Sequence, residues 1–396
     1  MAIGPRIWLN EAEKDVLLAQ QAEMIERLVA RISELEALVG KPRKTSKNSS
    51  IPLSKDGFGR GAKGSRRTDR KRPSREGKTR PLTPTPDKTE RRVACACGHC
   101  GADVSGAAQK LRHAYDHIDL PPIRPVVTRV ELFGGRCKGC GLRYRAEAPL
   151  GMPPGTPFGP GIRSLLMYLH HSHHIGFERL SRLSAELFGL MISEGAIANI
   201  FRRTGDAMAA AAQAITDKLL TAKVVASDET TTRTNGITQW QWVFISDQAV
   251  LHKIAPRRAR SVAEDVLGDH QPDVWVSDRY AGQQQLGKEH QVCLAHVLRD
   301  VQYAIDSGDT IFAPKIRDHL RWAIGVGKRD VPATNNISER EIRPSVVFRK
   351  VTNGFRSDWG AQIHAGYRSV TGTARLQGQP AFAAMRDLID RTFAVT

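Results

Sequence analysis

The chain has 396 residues, of which 40% are hydrophobic, so two or three folded units with ordinary cores are expected. Its net charge of +18 points to a polyanionic partner, nucleic acid above all. No apolar run approaches the roughly 20 residues that a bilayer needs, and the start Met1-Ala2-Ile3-Gly4 lacks the basic and apolar regions of a secretory signal. The expectation is a cytoplasmic, nucleoid-associated protein with no membrane contact, whose six cysteines are metal ligands or free thiols rather than disulfides.

Residues 8–40 read as a coiled-coil helix. Leu18, Ile25, Ile32 and Val39 recur every seven residues, and Gln21, Leu28 and Leu35 fill the companion positions. Ile or Val at one seam position with Leu at the other favours a parallel two-stranded coil, hence a homodimer or higher assembly. The alternative is an amphipathic helix packed on its own domain. Gly40 and Pro42 end the pattern.

Residues 41–92 carry 18 Lys and Arg against 5 Asp and Glu, an excess of +13, among Gly, Ser, Pro and Thr. Such a segment buries too little apolar surface to fold alone and reads as a disordered basic linker. Arg66, Arg67, Arg70, Lys71, Arg72 and Arg75 are dense enough for an arm laid along DNA phosphates.

Residues 93–150 contain two C-x-x-C pairs, Cys97/Cys100 and Cys137/Cys140, each followed by a glycine, Gly101 or Gly141. Four thiolates in two such pairs suit tetrahedral structural zinc. Runs around Ile118-Asp119-Leu120 and from Val126 to Phe133 are expected as strands of a small zinc-binding β unit, with Cys95 and His99 as spare ligands.

Residues 158–220 are helical by pattern. Ser181–Leu187, a break at Gly189 and a segment from Ser193 to Arg203 suggest a helix-turn-helix or plain helical packing, with Arg202 and Arg203 as candidate DNA contacts. His170, His171, His173 and His174 are expected at the surface or against DNA, since no acid accompanies them as a metal site would require.

From residue 221 to 392 the pattern becomes that of an α/β catalytic core. Strands are expected at Lys223–Thr230, Gln239–Ile245, Val250–Ile254, Val274–Arg279 and Val292–Ala295, with helices from about Ser261 and His296, and Gly236 in the first turn. The order suits a ribonuclease-H-like, mixed five-stranded sheet with helices, in which the first and fourth strands are neighbours. Their terminal acids, Asp228 and Asp278, would meet. A third carboxylate is expected from Glu339, early on a helix capped by Thr334 or Asn335. Three carboxylates suit Mg²⁺ or Mn²⁺, and two such ions about 3.5–4 Å apart support in-line phosphoryl transfer. Arg340, Arg343, Arg349 and Lys350 could hold phosphates nearby, and His296 could position a phosphate or water. Trp240 and Trp242 share one strand face and are expected in the core.

At these residues the sequence resembles the insertion-sequence transposases of family sixty-six. The resemblance rests on Ser227-Asp228-Glu229-Thr230, Trp240-x-Trp242-Val243-Phe244, Val276-Ser277-Asp278-Arg279-Tyr280, Cys293-Leu294-Ala295-His296 and Asn335-Asn336-x-x-Glu339-Arg340, and on the order of parts along nearly the whole chain. It implies Asp228, Asp278 and Glu339 as the catalytic triad, Cys97, Cys100, Cys137 and Cys140 as the zinc site, and DNA cleavage and joining as the activity. Element ends and target DNA would be the partners, with accessory proteins of the same element. The resemblance also implies a long helical insertion before the glutamate, whereas about 60 residues separate Asp278 from Glu339 here; Gly327-Lys328-Arg329-Asp330 marks the expected join. Two other readings stay open from the residues alone. One is a DNA-binding protein without catalysis, as a regulator or inactive transposase copy; the other is a structure-specific DNA nuclease.

Overall fold

A computed structural model describes residues 11–38, 44–49, 80–155, 157–326 and 330–394. The chain divides into two compact units, one of residues 1–59, 130–181 and 192–396, the other of residues 60–129 and 182–191.

The larger unit is built on a five-stranded mixed sheet. Its strands are β3 (Val224–Thr234), β4 (Ile237–Ile245), β5 (Val250–Ala255), β6 (Val274–Ser277) and β7 (Glu289–Val292), in spatial order β5-β4-β3-β6-β7. The first three form an antiparallel meander, and β6 and β7 join it parallel to β3. This is the mixed sheet with helices that the sequence suggested, in the strand order that makes the two aspartate-bearing strands neighbours. The β3–β4 hairpin is longer than the pattern foretold, because β3 runs on past its acids to Thr234. Asn235 and Gly236 close it with φ of 52° and 78°, and two consecutive left-handed residues are what a tight hairpin turn demands.

Side-chain alternation on β4 divides the core between two faces. Trp242 and Phe244, both fully buried and stacked with centroids 6.1 Å apart, join Val225, Trp275 and residues of α5 (Gly205–Leu219) and α6 (Arg260–Leu267) on one face. Val243 and Ile245 point to the other, against Ile342 of α9 (Asn336–Thr352). Phe348 of α9 and Ala361 and Ala365 of α10 (Asp358–Leu376) meet Ile254 there. The expected fifth strand lies earlier than the sequence suggested, at Glu289–Val292, and the following helix, α7 (Leu294–Asp306), starts two residues sooner. α8 (Phe312–Val326) packs on α7, and α11 (Ala381–Ala394) packs on α10 and on α2 (Pro160–His171).

α3 (Phe177–Phe188) and α4 (Glu194–Arg202) form as the pattern indicated. Gly189 takes φ 64° after α3, and the Ser193 hydroxyl accepts the Ala196 N–H at 3.2 Å to cap α4. The histidines after Leu169 require a correction. His171 is buried, its Nδ1 lies 3.1 Å from His364 Nδ1, and His170 stands among Phe177, Phe201 and Phe348. Burial pushes His170 down to about 4 and His171 well below its ordinary value, so both rings pack as neutral aromatics. Only His173 is exposed.

The expected strands around Ile118 and Val126–Phe133 do not form. Pro121, Pro122 and Pro125 interrupt the donor series there, and no partner strand is available to either run among the described residues. The regular strands of this region are instead the short β1 (Gly134–Arg136) and β2 (Arg143–Arg145), an antiparallel hairpin around Cys137 and Cys140. Within the expected linker, residues 44–49 depart from disorder. They form a turn in which Asn48 is buried and donates to Asp306 Oδ2 at 2.8 Å, while Lys44 lies over the Tyr303 ring. Arg66, Arg67, Arg70, Lys71, Arg72 and Arg75 lie outside the described residues. α1 (Glu11–Leu38) is one continuous helix whose Leu18, Ile25, Leu28 and Ile32 are all exposed. Val39 lies outside the described residues. Among the described residues no helix is long and apolar enough to cross a membrane.

Candidate metal centre

Parallel pairing of β3 with β6 ends at Ala226 and Val276, two residues before Asp228 and Asp278. Asp228 is not at a strand end as the sequence suggested but stays within β3, opposite Val243 of β4, and Asp278 directly follows the last residue of β6. Asp278 is fixed by its Oδ1, which accepts the Tyr280 N–H at 2.8 Å. Glu339 enters from α9, whose N-cap Asn335 does not cap the helix with its side chain. Its amide instead donates to the Ser227 carbonyl at 2.7 Å, and its backbone N–H donates to Cys293 Sγ at 3.1 Å. The Leu294 N–H adds a bond to the Ala333 carbonyl at 3.0 Å. The start of α9 is therefore bolted to both β3 and α7, one turn before Glu339.

Asp278 and Glu339 lie near enough to act on the charge of Asp228, although among the described residues the ligand atoms of the three acids do not all come within 4.8 Å of one another. Desolvation pushes Asp228 up to about 8, and the negative charges of Glu229, Asp278 and Glu339 add to that shift. A carboxylate that holds its proton this high needs either the proton or a cation. All the donors are oxygens, so the set fits a hard divalent ion such as Mg²⁺ or Mn²⁺.

Glu229, the acid next to Asp228, points to the opposite side of the strand. Arg258 Nε donates to its Oε1 at 2.6 Å, and Gln283 bonds its Oε2. Burial raises its carboxyl while Arg258 opposes that shift. The Arg258 guanidinium also lies 3.8 Å from the Tyr280 ring centroid, and the Tyr280 hydroxyl donates back to the Arg258 carbonyl at 2.6 Å. This cluster holds the turn that carries Asp278. The sequence reading missed it, because Arg258 and Gln283 lie far from Glu229 along the chain.

A second buried cluster also escaped notice. Arg368 of α10 donates to the Glu341 carbonyl at 2.9 Å and to its carboxylate, and His252 Nε2 lies 3.6 Å from the same carboxylate. Gln241 continues the network to His252 at 3.1 Å and Ser345 at 2.9 Å. It fixes α9 on the sheet two residues beyond Glu339. Only a buried Arg placed by the fold makes sense of it, and α10 gives no sign of that in sequence.

Of the expected accessory residues, His296 comes to the centre, with Nε2 3.8 Å from Glu339 Oε1. The thiol of Cys293 beside it raises His296 above its ordinary value. Burial alone would raise Cys293, yet His296 and the Asn335 and His296 backbone outweigh it and leave the thiol lowered. Arg340, Arg343 and Lys350 are exposed on α9. Arg349 is committed elsewhere, donating to the Thr231 carbonyl and, at 2.5 Å, to its hydroxyl. Arg202 lies over the Trp359 ring at 5.0 Å, and Arg203 is exposed.

The two cysteine pairs belong to different compact units, and each adopts the same turn. Cys97 accepts the Gly101 N–H at its carbonyl at 2.8 Å, and Cys137 accepts the Gly141 N–H likewise at 2.8 Å. Gly101 and Gly141 both have φ 74°. Backbone N–H groups of His99 and Cys100 lower the Cys97 thiol, and those of Cys140 and Gly139 lower Cys137. A turn that presents amides to the first sulfur favours the thiolate, the form that binds metal.

A family model, Transposase IS66 family, matches residues 155–328 and 324–363. No curated protein matches the sequence. Among solved structures, the Mos1 strand transfer complex aligns at 11% identity over 62% of this chain and 79% of that one, with a TM-score of 0.18. The Mos1 transposase paired-end complex with left transposon end aligns at 10% identity over 56% and 82%, with a TM-score of 0.16. Likenesses this distant bear no weight.

Proposed function

The chain belongs to the IS66 family of transposases, and from that premise we propose that it cuts DNA at element ends and joins the ends to target DNA at Asp228, Asp278 and Glu339. The observation that carries this reading is the placement of Asp228 on β3 beside β6, which Asp278 follows, with Asp228 raised to about 8 by burial and by the nearby charges of Glu229, Asp278 and Glu339. When bound there, divalent ions activate the attacking oxygen and stabilise the leaving one in an in-line displacement.

The chain's own residues supply the rest. Asp228, Asp278 and Glu339 would hold the ions, and Asp228 would give up its proton to do so. Asn335 sets the position of Glu339 through its bonds to Ser227 and Cys293. The Glu229–Arg258–Tyr280 cluster sets Asp278. Arg340, Arg343 and Lys350, exposed on the same helix as Glu339, hold phosphates of the DNA strand. Arg203 and the basic residues from Arg66 to Arg75 add further phosphate contacts. Each cysteine pair, Cys97/Cys100 and Cys137/Cys140, contributes structural zinc ligands, supported by its own glycine-closed turn and the lowered thiol of its first cysteine. The exposed Leu18, Ile25, Leu28 and Ile32 of α1 pair two copies, as synapsis of two ends requires.

The two family matches meet at 324–328, where the sequence reading places the lost insertion. α8, which ends at Val326 within that overlap, exposes Phe312, Ile316, Trp322 and Val326. An apolar face left open at that point supports a segment removed from its partner. Residues 327–329 lie outside the described residues.

The test is a strand-transfer assay with labelled end DNA and Mn²⁺. An uncut end tests cleavage, and a pre-cut 3′ end tests joining. Joined product from the pre-cut end supports the proposal. Cleavage without joining indicates a nuclease, and binding without either indicates a regulator or an inactive copy.

A further inference from the structure

The proposed chemistry uses Cys293 only as the acceptor that helps place Asn335, yet this buried thiol and His296 converge on Glu339. Cys293 is the N-cap of α7 and His296 follows three residues later, which places both on one side of the helix start. Glu339 arrives from α9, held there by the bond of the Asn335 N–H to Cys293 Sγ. One ligand atom from each of Cys293, His296 and Glu339 lies within 4.8 Å of the other two. Among the described residues no other three Cys, His, Asp or Glu side chains come together this closely. His296 Nε2 is 3.8 Å from Glu339 Oε1, long for a hydrogen bond, and the buried Nδ1 makes none.

Thiolate, imidazole and carboxylate form a different donor set from the three carboxylates next to it. Mg²⁺ takes oxygen ligands and avoids sulfur, whereas zinc takes Cys at about 2.3 Å and His or carboxylate at about 2.0–2.2 Å. Ligand atoms within 4.8 Å of one another reach an ion at those distances after side-chain shifts of about 1 Å. Three protein ligands leave a fourth position for solvent.

We infer that Cys293, His296 and Glu339 form a zinc-selective site that competes with the hard-ion site for Glu339, so that zinc switches the DNA chemistry off. Zinc binding displaces the Cys293 thiol proton to solvent and forms the zinc–sulfur bond, with no change of oxidation state. The gating half of the inference rests on the proposed use of Glu339; the binding half does not.

The experiment is a cobalt titration of the full chain, following thiolate-to-cobalt absorption, in the wild type, Cys293→Ser, His296→Gln and Asp228→Asn. Cobalt also reports the four knuckle cysteines, so the readout is the difference between proteins. The expected result is one thiolate-bound equivalent fewer in Cys293→Ser, the same loss or at least tenfold weaker binding in His296→Gln, and the wild-type count in Asp228→Asn. Equal counts in wild type, Cys293→Ser and His296→Gln overturn the site, as does loss of the equivalent in Asp228→Asn. His296→Gln keeps the test valid if Cys293→Ser does not fold. In the strand-cleavage assay at fixed Mg²⁺, His296→Gln should need at least tenfold more zinc for half inhibition than the wild type, and equal sensitivity overturns the gating. If no protein cleaves DNA with any metal, the transposase chemistry fails while the cobalt count still decides the zinc site.

Discussion

Asp228 is the residue on which the centre turns. Its folded-state pKa of about 8 stands above the usual carboxylate value, so the folded metal-free protein holds a proton that the unfolded chain releases. Stability of that form therefore falls as pH rises from about 4 to about 8. Asp228→Asn removes the liability, and its melting temperature without metal should exceed the wild type at pH 8, with the gap narrowing towards pH 4. Mn²⁺ should raise the wild-type melting temperature and leave that of Asp228→Asn nearly unchanged. Wild-type affinity for Mn²⁺ should weaken up to tenfold per pH unit below about 8, as the ion competes with one proton. Asn335→Ala leaves the buried Ser227 carbonyl without its donor, at a cost of about 1–3 kcal/mol in a urea denaturation experiment. The expectation of Asp228 and Asp278 came from the short apolar run that each closes in sequence, and that of Glu339 from the cap-rich stretch before it. Asn335 was legible only as a cap; the use of its amide across the chain on Ser227 belongs to the tertiary structure.

At the scale of elements, α9 carries the site and the buried Glu341–Arg368 pair holds α9. Arg368→Met leaves Glu341 near His252 without its guanidinium, and a broken buried pair costs about 3–5 kcal/mol. Urea denaturation should show that loss, and Glu341→Gln combined with Arg368→Met should recover part of it. A loss below about 1 kcal/mol would mean that the pair does not anchor α9. The sheet was legible because β4 and β6 are dense in β-branched and aromatic residues with sharp flanks. The run from Ile118 to Phe133 had similar composition and failed, since prolines broke it and nothing pairs with it. Composition signals the tendency to extend; a sheet also needs a partner edge. The histidines of α2 failed for a related reason. Helical spacing says which side chains share a face but not that Phe201, Phe348 and His364 will cover that face.

The whole molecule combines an exposed apolar helix, a basic stretch and a core built on a mixed sheet, and each part has its own physical test. Replacing Ile25 and Ile32 of α1 with lysine should shift the protein from dimer to monomer in sedimentation, since both are exposed in the single chain. Removing Arg66, Arg67 and Arg70 should reduce the salt dependence of duplex DNA binding by up to about 3 in slope, roughly 0.9 for each phosphate left unneutralised. The central claim is that acids from three separate elements make one metal site. Mn²⁺ binding to the wild type, Asp228→Asn, Asp278→Asn and Glu339→Gln, measured by calorimetry at pH 8, tests it most directly. One shared site predicts that each substitution weakens Mn²⁺ by tenfold or more while all four proteins remain folded. Wild-type affinity in any one of the three folded variants would contradict it, because that carboxylate would then lie outside the site.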